Sequence, residues 1–218
     1  MIDAQIVVIA KEPVAGRVKT RLTPPFTPGQ AARLAAAALE DTLLAVTEAP
    51  VRYRVLALEG LPGSWLPAGV EVIPQRGAGL DERIAYAITD AHRLHPVPTV
   101  LIGMDTPQVT SALLCSAADA LADHDAVYGP AADGGFWLLG LVRPDMSVVA
   151  GVPMSRPDTG DVLLWRLRNS GLRVAVLPEL LDVDTAADAA RVAAGSPHSR
   201  LAASLAAMPG LAETSAVR

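Results

Sequence analysis

Ile6, Val7, Val8 and Ile9 form an apolar, β-branched run that is too short for a buried helix and lacks the polar alternation of a half-exposed strand. Such a run suits a strand covered on both faces, the environment of a parallel sheet between helix layers. It stops abruptly in a loop carrying Pro13 and Gly16, and Lys11, Arg17, Lys19 and Arg21 follow in quick succession. An interior strand that ends in a loop of converging cations is how open α/β sheets present a site for an anionic ligand. Lys11 and Lys19 are the only lysines in the chain, and a compact ammonium suits a phosphate oxygen. The pattern points to a phosphate-bearing ligand, most simply a nucleotide. A solvated basic loop is the competing explanation. The ATPase P-loop is excluded, because Val18 stands where its glycine before the lysine belongs and the leading glycine spacing is missing.

The rest of the chain repeats the alternation of strand and helix. Thr27-Pro28 caps an Ala- and Leu-rich helix to about Val46. Strands are expected at 51–58 and 70–74, a helix at 79–92, a strand at 99–102 and a helix at 111–121. Strands at 126–128 and 136–141 follow, then a helix at 159–169 ending at Gly171, a strand at 173–177, and a helix capped by Thr185 to Ala194. The expectation is one α/β domain over residues 1–194, with a mostly parallel sheet covered by helices on both faces. Residues 195–218, rich in Ala, Ser and Pro, are expected to form a C-terminal extension, loosely helical or frayed.

Composition narrows the function classes. At 218 residues with 51% apolar and 19% charged side chains, the chain has enough apolar material for a sizeable core. Aromatics are only 4% and the net charge is −5, so neither stacking platforms nor a basic footprint for nucleic acid is present. Cys115, the single cysteine, rules out an intrachain disulfide and a thiolate cluster; in its apolar helical setting it reads as a small hydrophobe. No apolar run reaches membrane-spanning length and no secretory leader is legible, which leads to the expectation of a reduced, cytoplasmic protein without a membrane partner. His92, His95, His124 and His198 have no partners at metal-ligand spacing. Hydrolase elbows, zincin pairs and a dinucleotide-binding glycine fingerprint are all missing.

Three further stretches carry chemistry. Leu101-Ile-Gly-Met-Asp-Thr-Pro107 again ends an apolar strand, here on Asp105. An aspartate there can be a turn residue; beside a phosphate loop it is a candidate ligand for Mg²⁺, which is typically held by one or two carboxylates plus substrate phosphates. Gly129-Pro-Ala-Ala-Asp-Gly-Gly135 reads both as a hairpin turn and as a rim where Asp133, Gly134 and Gly135 meet an acceptor. Leu181-Asp-Val-Asp-Thr-Ala-Ala-Asp188 puts Asp182 and Asp184 on one face of an extended segment. Helix capping explains Thr185 and Asp188, but two carboxylates before the cap repel each other without a cation, which suggests a second metal contact.

KEPVAGRVKTRL, IGMDTP, GPAADGGFWLLGL and LLDVDTAADAAR, in that order and spacing, resemble the small GT-A-type nucleotide-diphospho-sugar transferase-like family labelled glycosyltransferase A or DUF2064. The resemblance covers about residues 5–194. More distantly, the layout is similar to molybdenum-cofactor guanylyltransferases and to the phospholactate or phosphoenolpyruvate guanylyltransferases. It implies a single Rossmann-like GT-A domain with a seven-strand mixed sheet and a divalent metal, Mg²⁺ or Mn²⁺. On this resemblance, Ala10, Lys11, Gly16, Lys19 and Arg21 line the nucleotide site, with Gly16 and Lys19 on the phosphates. Gln75, Gly79, Leu80 and Arg83 border the base and ribose. Asp105 is the metal-binding aspartate, with Asp184 and Asp182 as further contacts, and Asp133 to Gly135 face the acceptor. Gly79-Leu80-Asp81-Glu82-Arg83 departs from the family's G-D-L-G-E-R, and Met154 to Thr159 replace its Trp-Ser-Thr.

The expected activity is a metal-dependent transfer from a nucleoside triphosphate or a nucleotide sugar to a small-molecule acceptor. Lys19 and Asp105 act at the phosphates, and Asp133 is a candidate base for the acceptor. A guanylyltransferase of a small phosphorylated acid is the near alternative. A nucleotide-binding subunit without catalysis is the distant one. Base, acceptor and oligomeric state are not legible.

Overall fold

The structure, a computed structural model, describes residues 1–208. β1 (Ile2–Lys11) runs through the middle of the sheet, so Ile6, Val7 and Val8 lie wholly out of solvent. β2 (Val51–Glu59) flanks it in parallel, with β3 (Glu71–Pro74) parallel at the outer edge. β4 (Thr99–Gly103) flanks the other side of β1, also in parallel. Beyond it come three strands out of chain order. They are β5 (Ala126–Pro130), β6 (Phe136–Leu141) and β7 (Val174–Val176), and the sheet reads β3-β2-β1-β4-β6-β5-β7. β6 is antiparallel to both of its neighbours; every other strand pairing is parallel. The expected seven-strand, mostly parallel α/β architecture is the observed one.

Successive residues of β1 point to opposite faces of the sheet, and each face has its own core. Ile6 and Val8 pack with Val100 and Ile102 beneath α1 (Pro28–Glu48) and α3 (Ser111–Ala120), through Leu39, Leu43 and Leu114. Val7 packs with Leu101 and Leu139 against α2 (Leu80–Leu94) and α4 (Thr159–Asn169), through Ile84, Ile88, Leu163 and Leu167. Cys115 is half-buried at the edge of the first core, rather than sealed within it. Thr27 starts α1 with a reciprocal capping box to Gln30, and Pro28 occupies the first turn, where its missing N–H costs nothing.

The extension expected to be loosely helical or frayed carries a helix in its described part. α5 (Ala186–Gly195) and α6 (Arg200–Ala206) form a third core on α1 with Leu22, Phe26, Leu34, Val183, Val192 and Leu201. α6 is firmly docked: the buried Asp41 carboxylate accepts the backbone N–H of Arg200 and of Leu201, each at 2.9 Å. Low-complexity composition conceals this, because a short Ala-rich helix declares its anchor only when the distant carboxylate is in place. The frayed end expected at 209–218 lies outside the described residues.

β1 and β4 are parallel and adjacent, with Ile9 opposite Gly103, so the loops after them leave the sheet side by side at the carboxyl end. From β1 the chain turns to one half of the sheet, while β4 opens the other. That is the topological switch point at which open α/β sheets bind ligands.

Asp41→Ala leaves two helix N–H groups without their partner and is expected to lower stability by about 1–3 kcal/mol. Denaturant unfolding, with limited proteolysis read at residues 195–208, measures this. An unchanged midpoint and an unchanged cleavage rate would show that Asp41 does not anchor α6.

Candidate active site at the carboxyl ends of the central strands

The loop after β1 bends at Gly16, φ 78°, and ends on Lys19, a non-glycine residue in the left-handed region at φ 47° and ψ 41°. Few side chains adopt that backbone without a compensating contact. Here it drives the Lys19 side chain inward until only 7% of it is exposed. The ammonium lies 2.6 Å from Asp105 Oδ1, donates to the Val183 backbone carbonyl, and stands 3.5 Å from Asp184 Oδ1. Arg21 Nη1 reaches Asp184 Oδ2 at 3.0 Å. Residues from three separate stretches of the sequence therefore meet at one point, with Lys19, Arg21, Asp105 and Asp184 in direct contact.

Backbone contacts hold these stretches together independently of the ion pairs. The Val183 N–H donates to the Asp105 carbonyl at 2.8 Å, and Gln108 Nε2 donates to the Leu181 carbonyl at 2.7 Å. Thr185 and Asp188 form the capping box of α5 and fix where the 181–184 segment ends. The cation that Asp182 and Asp184 call for on sequence grounds is supplied within the chain, by Lys19 and Arg21.

Opposing effects set the protonation states. Burial alone would lower the Lys19 value, but Asp105 above all, with Asp184 and Asp182, outweighs it and holds the ammonium above the ordinary lysine range. Asp182 goes the other way. Burial, then the fields of Asp105 and Asp133, push its carboxyl up to about 7 against the relief offered by Lys19. Its Oδ1 is buried without a partner, as are Thr106 Oγ1 and Gln108 Oε1 nearby in the chain's site-forming stretches.

A second cluster occupies the carboxyl ends of β1 and β2. Lys11 is opposite Glu59 in the strand register, and their charged groups stand 3.3 Å apart. Arg83, from the first turn of α2, pairs with the same Glu59 oxygen. Burial would raise the Glu59 carboxyl, but Lys11 and Arg83 hold it below the usual carboxylate range. Lys11, Glu12, Arg17 and Glu59 line a cavity of about 180 Å³. Lys11 is thus a paired cation, not a free one, and its backbone N–H donates to Met104 Sδ at 3.4 Å. Gln75 spends its amide donors on the carbonyls of Ala10, 2.6 Å, and Ala57, 2.9 Å, tying the ends of β1 and β2. Gly79 is the N-cap of α2, and Leu80 beside it is about half exposed.

Asp133, Gly134 and Gly135 form a turn against the start of α4. Asp133 Oδ1 accepts the Gly135 N–H at 2.8 Å, and the Gly160 N–H donates to the Gly134 carbonyl at 2.8 Å. A Cβ on Gly134 would collide with the Pro157 carbonyl, so close backbone packing alone demands glycine there. Tyr128 donates to the Gly135 carbonyl at 3.2 Å, and burial, then Asp161 and Asp133, push its phenol up to about 12. Ala131 pairs with Leu180, and the Ala132 N–H donates to the Leu180 carbonyl at 2.9 Å, so this turn lies beside the segment that carries Asp182.

Sequence reasoning missed Glu59, the Val183 carbonyl and Tyr128. The only signal for Glu59 is its position at the end of an apolar strand, and its meaning depends on the register with Lys11. Among the described residues, no group of three His, Cys, Asp or Glu side chains stands ready to hold a metal. A magnesium or manganese ion completed by substrate phosphates does not need three. The solvent-facing carboxylates of Asp105 and Asp184, with the orphaned buried oxygen of Asp182, are donors of the kind such an ion takes. No helix of the described residues is long and apolar enough to cross a membrane.

Because the folded-state value of Asp182 lies above its unfolded value, the residue contributes no penalty below about pH 4. As pH rises from there to about 7, the unfolded chain ionises first and stability falls; above pH 7 the penalty is complete. Asp182→Asn is therefore expected to stabilise the metal-free protein at pH 8 by on the order of a few kcal/mol, and hardly at all at pH 4. Denaturant unfolding at both pH values tests this. An equal effect at pH 4 and pH 8 contradicts it.

The model of a bacterial family described as "Uncharacterized protein conserved in bacteria (DUF2064)" matches residues 30–156. A candidate nucleotide-diphospho-sugar transferase of Desulfovibrio desulfuricans G20 shares 27% identity and a TM-score of 0.85, over 94% of this chain and 95% of its own. The manganese complex of Rv0371c from Mycobacterium tuberculosis H37Rv shares 25% identity with a TM-score of 0.50, over 87% and 97%. At 16% identity, a TM-score of 0.56 and coverage of 89% and 99%, the 2-C-methyl-D-erythritol 4-phosphate cytidylyltransferase of Thermus thermophilus shares the fold alone. No curated protein sequence matches the chain. With more than half of its length matched, the chain belongs to the DUF2064 family, and its α/β domain is similar to that of the candidate nucleotide-diphospho-sugar transferase of D. desulfuricans.

Proposed function

We propose that this protein is a divalent-metal-dependent transferase whose donor is a nucleoside triphosphate or a nucleotide sugar. One observation carries the reading: a buried ammonium, Lys19, meets Asp105 and Asp184 at the switch point between β1 and β4. Open α/β sheets bind nucleotides at that position. The candidate sugar-nucleotide transferase of D. desulfuricans supports the donor class, and the manganese complex of the mycobacterial relative supports a metal.

In this reading Lys19 holds a phosphate oxygen of the donor, and Asp105 and Asp184 hold Mg²⁺ or Mn²⁺. When bound, the metal neutralises charge developing on the phosphoryl oxygens. Lys19 adds a positive charge that is itself largely shielded from water, where it is worth more than in bulk. The base and ribose are assigned in this reading to the side of Lys11 and Glu59, where Arg83 pairs with Glu59 and Gly79 and Leu80 begin the same helix. The acceptor approaches across the Asp133–Gly135 turn. Asp133 keeps one oxygen on its own turn, and its carboxylate is the proton acceptor where the acceptor is a hydroxyl.

Nucleotidyl and glycosyl transfer share the site and differ in the bond broken. Incubation with Mg²⁺, each labelled nucleoside triphosphate, a panel of UDP- and GDP-sugars and a set of phosphorylated and hydroxyl acceptors separates them. Pyrophosphate release identifies nucleotidyl transfer, and free nucleoside diphosphate identifies glycosyl transfer. In either case Asp105→Asn and Lys19→Gln are each expected to lower kcat/KM by roughly 100-fold or more, through loss of charge stabilisation worth about 3 kcal/mol. Turnover unaffected by both substitutions would place the chemistry elsewhere. Nucleotide binding equally tight in Asp105→Asn and the parent, without turnover of any acceptor, would identify a binding subunit instead.

A further inference from the structure

The Lys19 ammonium has three N–H donors and finds three acceptors, Asp105 Oδ1, the Val183 carbonyl and Asp184 Oδ1. It is therefore saturated, and it is buried at 7% exposure, while the carboxylates it holds remain 45% and 34% exposed on their solvent sides. An ammonium fixed among the oxygens that would ligate a metal opposes the arrival of a free divalent cation, because like charges a few ångströms apart repel strongly at any protein dielectric. We propose that Lys19 is the site's resident counter-cation: it keeps Asp105 and Asp184 neutralised until a polyphosphate draws its ammonium away, so that a divalent cation is admitted only together with polyphosphate. This rests on the reading of the cleft as a polyphosphate site.

Three features make the exchange workable. The Lys19 stem is long and flexible, and its ammonium is a point charge without directional demand, so it can pass from carboxylate to phosphate without a new backbone. The segments it bridges stay joined when it leaves, through the Val183 N–H to Asp105 carbonyl bond, the Gln108 to Leu181 bond and the Arg21–Asp184 pair. The loop that carries Lys19 also carries Arg17 and Gly16 and borders the cavity with Lys11, so an incoming polyanion meets this loop. By linkage, whatever factor polyphosphate contributes to metal affinity, the metal returns to polyphosphate affinity.

The test is Mn²⁺ binding, followed by electron paramagnetic resonance of the free ion, on the metal-stripped full chain. The parent, Lys19→Gln and Lys19→Arg are compared, each confirmed folded by circular dichroism. With MnCl₂ alone, Lys19→Gln is expected to bind at least tenfold more tightly than the parent. Lys19→Arg, which keeps the charge, is expected to stay within threefold of the parent. Saturating tripolyphosphate, after correction for its own Mn²⁺ complex, is expected to raise the parent's affinity at least tenfold and that of Lys19→Gln less than threefold. Equal Mn²⁺ affinity in the parent and Lys19→Gln overturns the proposal, and so does Lys19→Arg binding as tightly as Lys19→Gln. The parent-only arm needs no variant: no gain of Mn²⁺ affinity with tripolyphosphate also overturns it. The expected Mn²⁺ pattern without nucleotide turnover would defeat the transferase reading and leave this one standing; turnover with equal Mn²⁺ affinities would do the reverse.

Discussion

The contact on which this structure turns is the buried ammonium of Lys19 between Asp105, Asp184 and the Val183 carbonyl. Burying a lone cation is prohibitive. Lys19 is tolerated here because Asp105, Asp184 and the Val183 carbonyl meet its ammonium, while Asp105 and Asp184 keep part of their surface in solvent. The sheet makes the meeting possible, since β1 and β4 are parallel neighbours whose loops leave side by side. α5 positions the partner segment, because its capping box fixes where the stretch that delivers Val183 and Asp184 ends. The left-handed backbone at Lys19 is the local cost of aiming a loop side chain inward.

The cleft divides into regions of different electrostatic character. On the β2 side, Lys11 and Arg83 dominate, and Glu59 is held as a firm anion. Toward the β5–β6 turn the carboxylates are Asp133 and Asp182, and burial above all pushes the Asp182 carboxyl up to about 7. Lys19 lies between the two. In the proposed reading the donor's phosphates meet Lys19, its base and ribose lie toward Lys11 and Glu59, and the acceptor approaches the β5–β6 turn.

Much of the architecture was legible because it depends on local pattern. The Ile6–Ile9 run, the Thr27-Pro28 cap and the apolar stretches at 136–141 and 159–169 announce their elements within a few residues. Legibility stops where meaning depends on distant partners. β1 begins at Ile2, ahead of the apolar run, because Ile2 pairs with Val51 while Asp3 and Gln5 disguise it as polar. The reversal of β6 leaves no trace in its own residues. The pairing of Lys19 with Asp184 spans 165 positions, and that of Lys11 with Glu59 depends on strand register. The Gly134-Gly135 pair illustrates a different limit. Its sequence fits a ligand-approach turn, and the structure gives Gly134 a packing role against Pro157 that the same residues would serve in any case. The short helix at 200–206 hides its anchor for the same reason, since Asp41 is remote in sequence.

The most direct measurement is a crystal structure of the protein with Mn²⁺ and a non-hydrolysable α,β-methylene nucleoside triphosphate. The account predicts Lys19 Nζ within hydrogen-bonding distance of a phosphate oxygen and an anomalous manganese peak beside Asp105 and Asp184. Phosphates bound away from the β1–β4 switch point, with the Lys19–Asp105 pair intact, would contradict it.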